Sequence, residues 1–266
     1  MKKIFILTIG LLAFYFCNAQ DKALKTKVTK DQNIATAVTI NKSTKQKEGA
    51  YSKIDMNTGD TLVAGQYAND KKAGVWRFAD KKELYFAYDF TENRIFRISP
   101  TTQAVDTFII KAGNGEYSLS EVDTPPLYLG YKNEFEALLS KSIRIPLPVM
   151  QNHVAGTAVV SFAIDEHGLM KDVKNEVALD KELDRELVRK VTEVGGEWLP
   201  AIKAGKPVAA RFMVVVSLSE GQNTSPARAF APKPYLIPVT LTYYSTVRTE
   251  RRIMQSASPQ YNGRFR

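Results

Sequence analysis

The sequence predicts an α+β chain. An N-terminal run of antiparallel β-hairpins comes first, then a domain in which two helices cover one face of a three-stranded antiparallel sheet. Three observations carry this. Residues 49–98 alternate short apolar runs with turn formers, the pattern of successive hairpins. Two stretches, at 134–143 and 181–194, repeat apolar residues at helical spacing. Residues 208–218 alternate without a break, as a half-buried strand does.

Taken in order, residues 1–19 read as a cleaved secretory signal. Lys2 and Lys3 precede an apolar run from Ile4 to Phe16, and Asn18-Ala19-Gln20 supplies a small residue for cleavage. The run is shorter than the roughly 20 apolar residues a membrane span needs, so a periplasmic location is expected, with an uncleaved inner-membrane anchor as the alternative. Cleavage removes Cys17, the only cysteine, and with it disulfide, redox and cysteine-metal chemistry. Residues 20–47 are rich in lysine and read as a mobile lead-in, with one strand at Ile34 to Ile40.

Between residues 48 and 111, Gly49-Ala-Tyr51, Gly65-Gln-Tyr67 and Gly74-Val-Trp76 each set a glycine two residues before an aromatic. The glycine is read as permitting a tight turn, and the aromatic as capping the apolar face of the following hairpin. The phrase GQYANDKKAGVWRF resembles MORN-type repeats, strings of short β-hairpins that serve as scaffolds. Turn formers at Ala112 to Gly115 and Asp123 to Pro126 then mark a boundary.

In the second domain, taken as 127–220, Asn133 is expected to cap a helix over Glu134 to Ile143. Phe135, Leu138, Leu139 and Ile143 share its buried face, and Pro146 and Pro148 stop it. Ala158, Val160, Phe162 and Ile164 alternate in a strand that turns at Asp165-Glu-His-Gly168 into a second strand. Asp180 caps a second helix with Leu183, Leu187, Val188, Val191 and Val194 buried, ended by Gly195-Gly196. Glu182, Asp184 and Glu186, interleaved with Lys181, Arg185, Arg189 and Lys190, read as a salt-bridged surface.

The ordered set Pro146, Gly156, Phe162, Asp165, Gly168, Asp172-Val173, Leu183-Asp184, Glu186, Trp198, Pro200 and Gly205-Lys206-Pro207-Val208 resembles the C-terminal domain of TonB-type energy transducers. The resemblance spans about residues 127–220. It implies that Gly156, Asp165, Gly168, Leu183, Asp184, Trp198, Pro200, Gly205 and Pro207 define the fold and form no reactive site. It further implies a periplasmic partner protein, of the class of outer-membrane receptors, bound by strand pairing and linked to transmembrane transport. Two departures stand out. The apolar leader carries no charged or histidine residue, and no Pro-rich spacer follows it.

A partner strand is expected to add along Val208, Arg211, Phe212, Met213, Val215 and Ser217, by backbone hydrogen bonds. The alternating tail run from Tyr235 onward, broken by Pro238, is expected to occupy or compete for that edge as a displaceable flap. The charge of +9 falls to +7 without Lys2 and Lys3. Residues 221–266 hold Arg228, Lys233, Arg248, Arg251, Arg252, Arg264 and Arg266 against Glu250. This basic tail suits anionic lipid or cell-wall polymers rather than nucleic acid. A scaffold docked on cell wall or membrane, with the second domain as a homodimer contact, is therefore the alternative function. His153 and His167 are read as loop histidines. With no P-loop, G-x-S-x-G or H-E-x-x-H present, neither an enzyme, a cofactor nor a metal is expected.

Overall fold

The computed structural model describes residues 24–105, 107–111, 113, 115–221 and 233–244. The leader, with Cys17, and the tail beyond Tyr244, with its arginines, lie outside the described residues. The chain divides into two compact units. One holds the described residues up to Ala104 with Tyr128–Lys132, and the other Val105–Leu127 with the described residues from Asn133 onward.

The first unit is a seven-stranded antiparallel meander: β1 (Leu24–Asp31), β2 (Ile34–Asn41), β3 (Lys47–Asp55), β4 (Thr61–Ala68), β5 (Lys71–Asp80), β6 (Glu83–Asp89) and β7 (Arg94–Ile98), in that spatial order. A single helical turn, α1 (Pro100–Gln103), follows, capped by the Ser99 hydroxyl. The lead-in region therefore supplies two full strands, with β1 exposed along its length. Its lysines mark a sheet edge rather than an unstructured arm. One face of the meander is aromatic. Trp76 packs against Tyr51, Tyr67 and Phe90, with centroids 5.1, 5.1 and 5.8 Å away, and Phe78 stacks on Phe86 at 4.6 Å. Contacts of this kind add roughly 0.5–1.5 kcal/mol each beyond area burial. The glycines differ in their reasons. Gly49 and Gly74 take positive φ, at +92° and +60°. Gly65 is mid-strand and needs no special φ; a Cβ there would lie 2.2 Å from the Trp76 ring. Its absent side chain is what lets the indole lie flat across β4.

The second unit joins β8 (Thr107–Lys111), β9 (Tyr117–Glu121), β11 (Gly156–Ile164), β12 (Met170–Val177), β16 (Ala210–Glu220) and β17 (Leu236–Tyr243) into one six-stranded sheet. The remaining described elements are the short strands β10 (Leu127–Tyr128), β13 (Trp198–Leu199), β14 (Ala201–Lys203) and β15 (Lys206–Val208), with helices α2 (Glu134–Ser142), α3 (Leu147–Gln151) and α4 (Lys181–Val194). The two-helix, three-stranded α+β expectation is thus overturned. Strands make up 54% and helices 15% of the described residues, which are therefore mostly β, with two large sheets and four helices among them. The physical reason is nonlocal. β8, β9 and β17 lie outside the span of residues 127–220 in which the sequence pattern closes a sheet, yet they pair into it.

Local signals fare better where one side chain decides. Asp180 Oδ1 accepts from the backbone N–H of Glu182 and Leu183, a cap that stabilises a helix by about 1 kcal/mol. Leu183, Leu187 and Val191 form the buried stripe of α4, and Gly195 ends it. Asn133 behaves otherwise: it sits at φ +64° and its side chain caps nothing. Leu138 is partly exposed, while Phe135 and Leu139 are buried. Asp184 also departs from the surface reading. It is buried and accepts from Leu179 N–H at 3.2 Å, leaving Glu182, Glu186 and Glu193 to pair with Arg185, Arg189 and Lys190.

Candidate functional site

Of the residues singled out as fold-defining, Trp198 sits in an aromatic cluster of the second unit. Its ring packs against Phe135, Phe162 and Phe212 with centroids 5.4, 5.8 and 5.0 Å away, and its indole N–H donates to Gly195 O at 3.0 Å. The β11–β12 turn presses on the same residue. Gly168 has φ +78°, and a Cβ there would lie 2.2 Å from the Trp198 carbonyl oxygen. Asp165 holds that turn by accepting from His167 and Leu169 N–H at 2.9 and 2.8 Å, with Lys171 at 3.3 Å. Burial pushes the Asp165 carboxyl up, but those amides and the lysine outweigh it and hold the group below its usual value. Gly156, at φ +148°, leaves room for Leu179. Pro200 stands between Trp198 and β14. Gly205 turns at φ +69° with its N–H on Asp123 Oδ2, and Pro207 pairs with Ile202 in the β14–β15 hairpin. These are packing and turn contacts within the second unit.

The expected partner-binding strand is placed differently. Val208 belongs to β15 and faces Ala201. Arg211, Phe212, Met213, Val215 and Ser217 lie in β16, which is a central strand. On one side all nine residues of β11 pair with it, from Gly156↔Leu218 to Ile164↔Ala210. On the other, β8 pairs at Ala210 and Arg211, and β17 runs parallel from Met213↔Leu236 to Glu220↔Tyr243. Both edges of β16 are filled by the chain itself, so no foreign strand can add there while β17 is in place. The side chains divide by face. Phe212 is buried among aromatics, whereas the Arg211 guanidinium stacks 3.8 Å over the Tyr117 ring.

β17 is no loose flap. Val239, Leu241 and Tyr243 are buried on the helix-covered face, and the Tyr243 hydroxyl donates to Val154 O at 2.9 Å. Met213 N–H donates to Tyr235 O, and Gly221 N–H to Tyr243 O. Strand alternation then points the backbone groups of Tyr235, Ile237, Val239, Leu241 and Tyr243 at β16. Those of Leu236, Pro238, Thr240 and Thr242 point to the outer edge, where the N–H that Pro238 lacks removes nothing from the β16–β17 ladder. The sequence showed the alternation and the proline. It did not show the parallel register that makes the proline harmless.

The remaining edges carry features that discourage pairing. β1 bears Lys25, Lys27 and Lys30, and β7 bears Arg94 and Arg97. β12 has Lys171 and Lys174, two register irregularities against β11 and a positive φ at Asp172. β9 is five residues long. β17 pairs over eight residues without a register shift and carries no charge. Among the described residues nothing pairs with its outer side.

His153 Nδ1 lies 2.9 Å from Glu220 Oε1 near the end of β16. His167 lies in the Asp165 turn. No group of three or more His, Cys, Asp or Glu among the described residues is placed to hold a metal.

No family model matches the chain, and no curated protein matches it; neither comparison supports the MORN resemblance. A likeness to the NMR solution structure of the Helicobacter pylori TonB-CTD was found among solved structures. It is 20% identical, covers 35% of this chain and 89% of that chain, and has a TM-score of 0.26. So weak a likeness makes that domain a distant structural neighbour and carries no argument about function.

Proposed function

We propose that this chain is a non-enzymatic, periplasmic protein-interaction module that takes up an extended segment of an envelope protein as an added strand on the outer edge of β17. The observation that carries the reading is the contrast among edges. β17 alone combines eight regularly paired residues with no charge and no bulge, and its outer edge is unpaired among the described residues. Its outward carbonyls at Leu236, Pro238, Thr240 and Thr242 and its outward amides at Thr240 and Thr242 form a ready ladder; the Leu236 amide is used by Lys233 O. Each backbone bond contributes about 1 kcal/mol net, so side chains packing beside Leu236, Pro238 and the two threonines set specificity. The segment before Gln20, read as a secretory leader, is the reason for the periplasmic assignment. An extended segment of an outer-membrane receptor is the partner class proposed.

The test is a double variant, Thr240→Pro and Thr242→Pro, which deletes both outward amides and the exposed Ser219–Thr242 hydroxyl contact while leaving the β16–β17 backbone bonds intact. Capture of the envelope partner should fall at least about tenfold, the loss of roughly 1.4 kcal/mol or more, while the thermal midpoint is held. Undiminished capture by the folded variant would place the interaction elsewhere.

A further inference from the structure

We propose that the seven-stranded sheet carries a binding site for a phosphate or carboxylate group borne on a small apolar or sugar-like body, in the hollow across β4, β5 and β6. The hollow has a volume of about 290 Å³ and is lined by Thr61, Ala64, Arg77, Ala79, Lys82 and Leu84. It lies on the face opposite the aromatic cluster. Phe78 pairs with Phe86 on the aromatic face, so the next position, Arg77 against Ala87, points away.

Three features give the hollow its chemistry. First, its floor is low because Ala64 faces Arg77 across β4–β5 with only a methyl group. Second, its cations are uncompensated. Neither Arg77 nor Lys82 has an ion-pair partner among the described residues, whereas Asp80 at the same hairpin is held by Lys132 at 2.9 Å. Third, the positive field continues along the face, since Ala87 pairs with Arg77 on one side and Arg97 on the other. That sets the two arginine backbones two strand spacings apart, roughly 10 Å, and Arg97 likewise has no ion-pair partner among the described residues.

A guanidinium offers a planar fork that matches carboxylate and phosphate oxygens, and an ammonium adds a compact charge. The Thr61 hydroxyl donates to a further oxygen, and Ala64, Ala79 and Leu84 receive a methyl group or ring face. The volume lies just below the range of drug-sized small-molecule sites, about 300–1,000 Å³, which suits one headgroup or one sugar ring. The site is independent of the β17 edge.

The full chain would be titrated with inorganic pyrophosphate and with glucuronate, following backbone amide shifts by NMR. Saturable shifts confined to residues 61–64 and 77–84 are expected. Arg77→Ala and Lys82→Ala should each weaken binding at least about fivefold. Ala64→Leu, which fills the hollow and keeps every charge, should abolish it, and Arg94→Ala should leave it unchanged. If Ala64→Leu binds like the parent, or if shifts spread without saturation over all lysines, the site does not exist. Vesicles of phosphatidylglycerol that pellet the parent but not Ala64→Leu would identify a lipid headgroup as the source of the anion. Binding of the soluble probes without vesicle binding would identify a free or polymer-borne group.

Discussion

Leu241→Ala tests whether β17 belongs to the core. The side chain is 8% exposed, between Val239 at 1% and Tyr243 at 4%, on the strand that closes the second edge of β16. Truncating a buried leucine costs about 2–5 kcal/mol, from lost transfer energy and the cavity left behind. The site lies near the end of an outermost strand, where collapse is easier, so about 2–3 kcal/mol is expected. With a urea slope of about 2 kcal/mol per molar, the midpoint should fall by about 1–1.5 M. The two tryptophans make the assay selective, because Trp76 lies in the first unit and Trp198 in the second. In a Trp76→Phe background, Trp198 fluorescence reports the second unit alone. The exposed Thr240→Ala is the control and should change stability by under about 0.5 kcal/mol. A Leu241→Ala change as small as the control's would refute the reasoning and restore β17 as a displaceable flap.

Gly168→Ala combines a positive φ with a Cβ 2.2 Å from the Trp198 carbonyl; it should cost at least about 2 kcal/mol, of which the left-handed backbone alone accounts for about 1–2, read by Trp198 unfolding. Gly65→Ala drives a methyl group into the Trp76 ring and should destabilise the first unit by about 1–3 kcal/mol, shifting the Trp76 transition and leaving that of Trp198 in place. Asp165 has a folded-state pKa held below its unfolded value, near 3.9 for a free aspartate. Its contribution is therefore complete above about pH 4 and is lost as pH falls through the folded value. Asp165→Asn should flatten the acid limb of stability against pH, and an unchanged limb would assign it to other carboxylates.

Much of the second unit was legible because single residues decide it. The Asp180 cap, the Asp165–Gly168 turn and the alternation of β11 and β16 follow from local chemistry. What was hidden depends on contacts far apart in sequence. Residues 107–111 fall at the end of the span read as N-terminal hairpins, and nothing local says that Ala210 and Arg211 are the partners of β8. The lysines of β1 resemble those of an unstructured arm, since sheet edges and solvated segments favour the same residues. Gly65 reads as a turn former until Trp76 is placed over it. The sequence reading places the partner strand on residues 208–218, whose edge is covered only if the tail run pairs there. The unbroken alternation of that run marks a central strand, paired on both sides, and the open edge falls one strand further out.

Hydrogen exchange of the complex with its captured envelope partner tests the proposed edge most directly. The amides of Thr240 and Thr242 point away from β16 and have no backbone acceptor among the described residues, so they should exchange fast in the free protein. Partner binding should slow both by at least about tenfold, the effect of roughly 1.4 kcal/mol of protection, with the β16-facing amides of Val239 and Leu241 protected throughout. Unchanged exchange at Thr240 and Thr242, with new protection along β1, β7, β9 or β12, would contradict it.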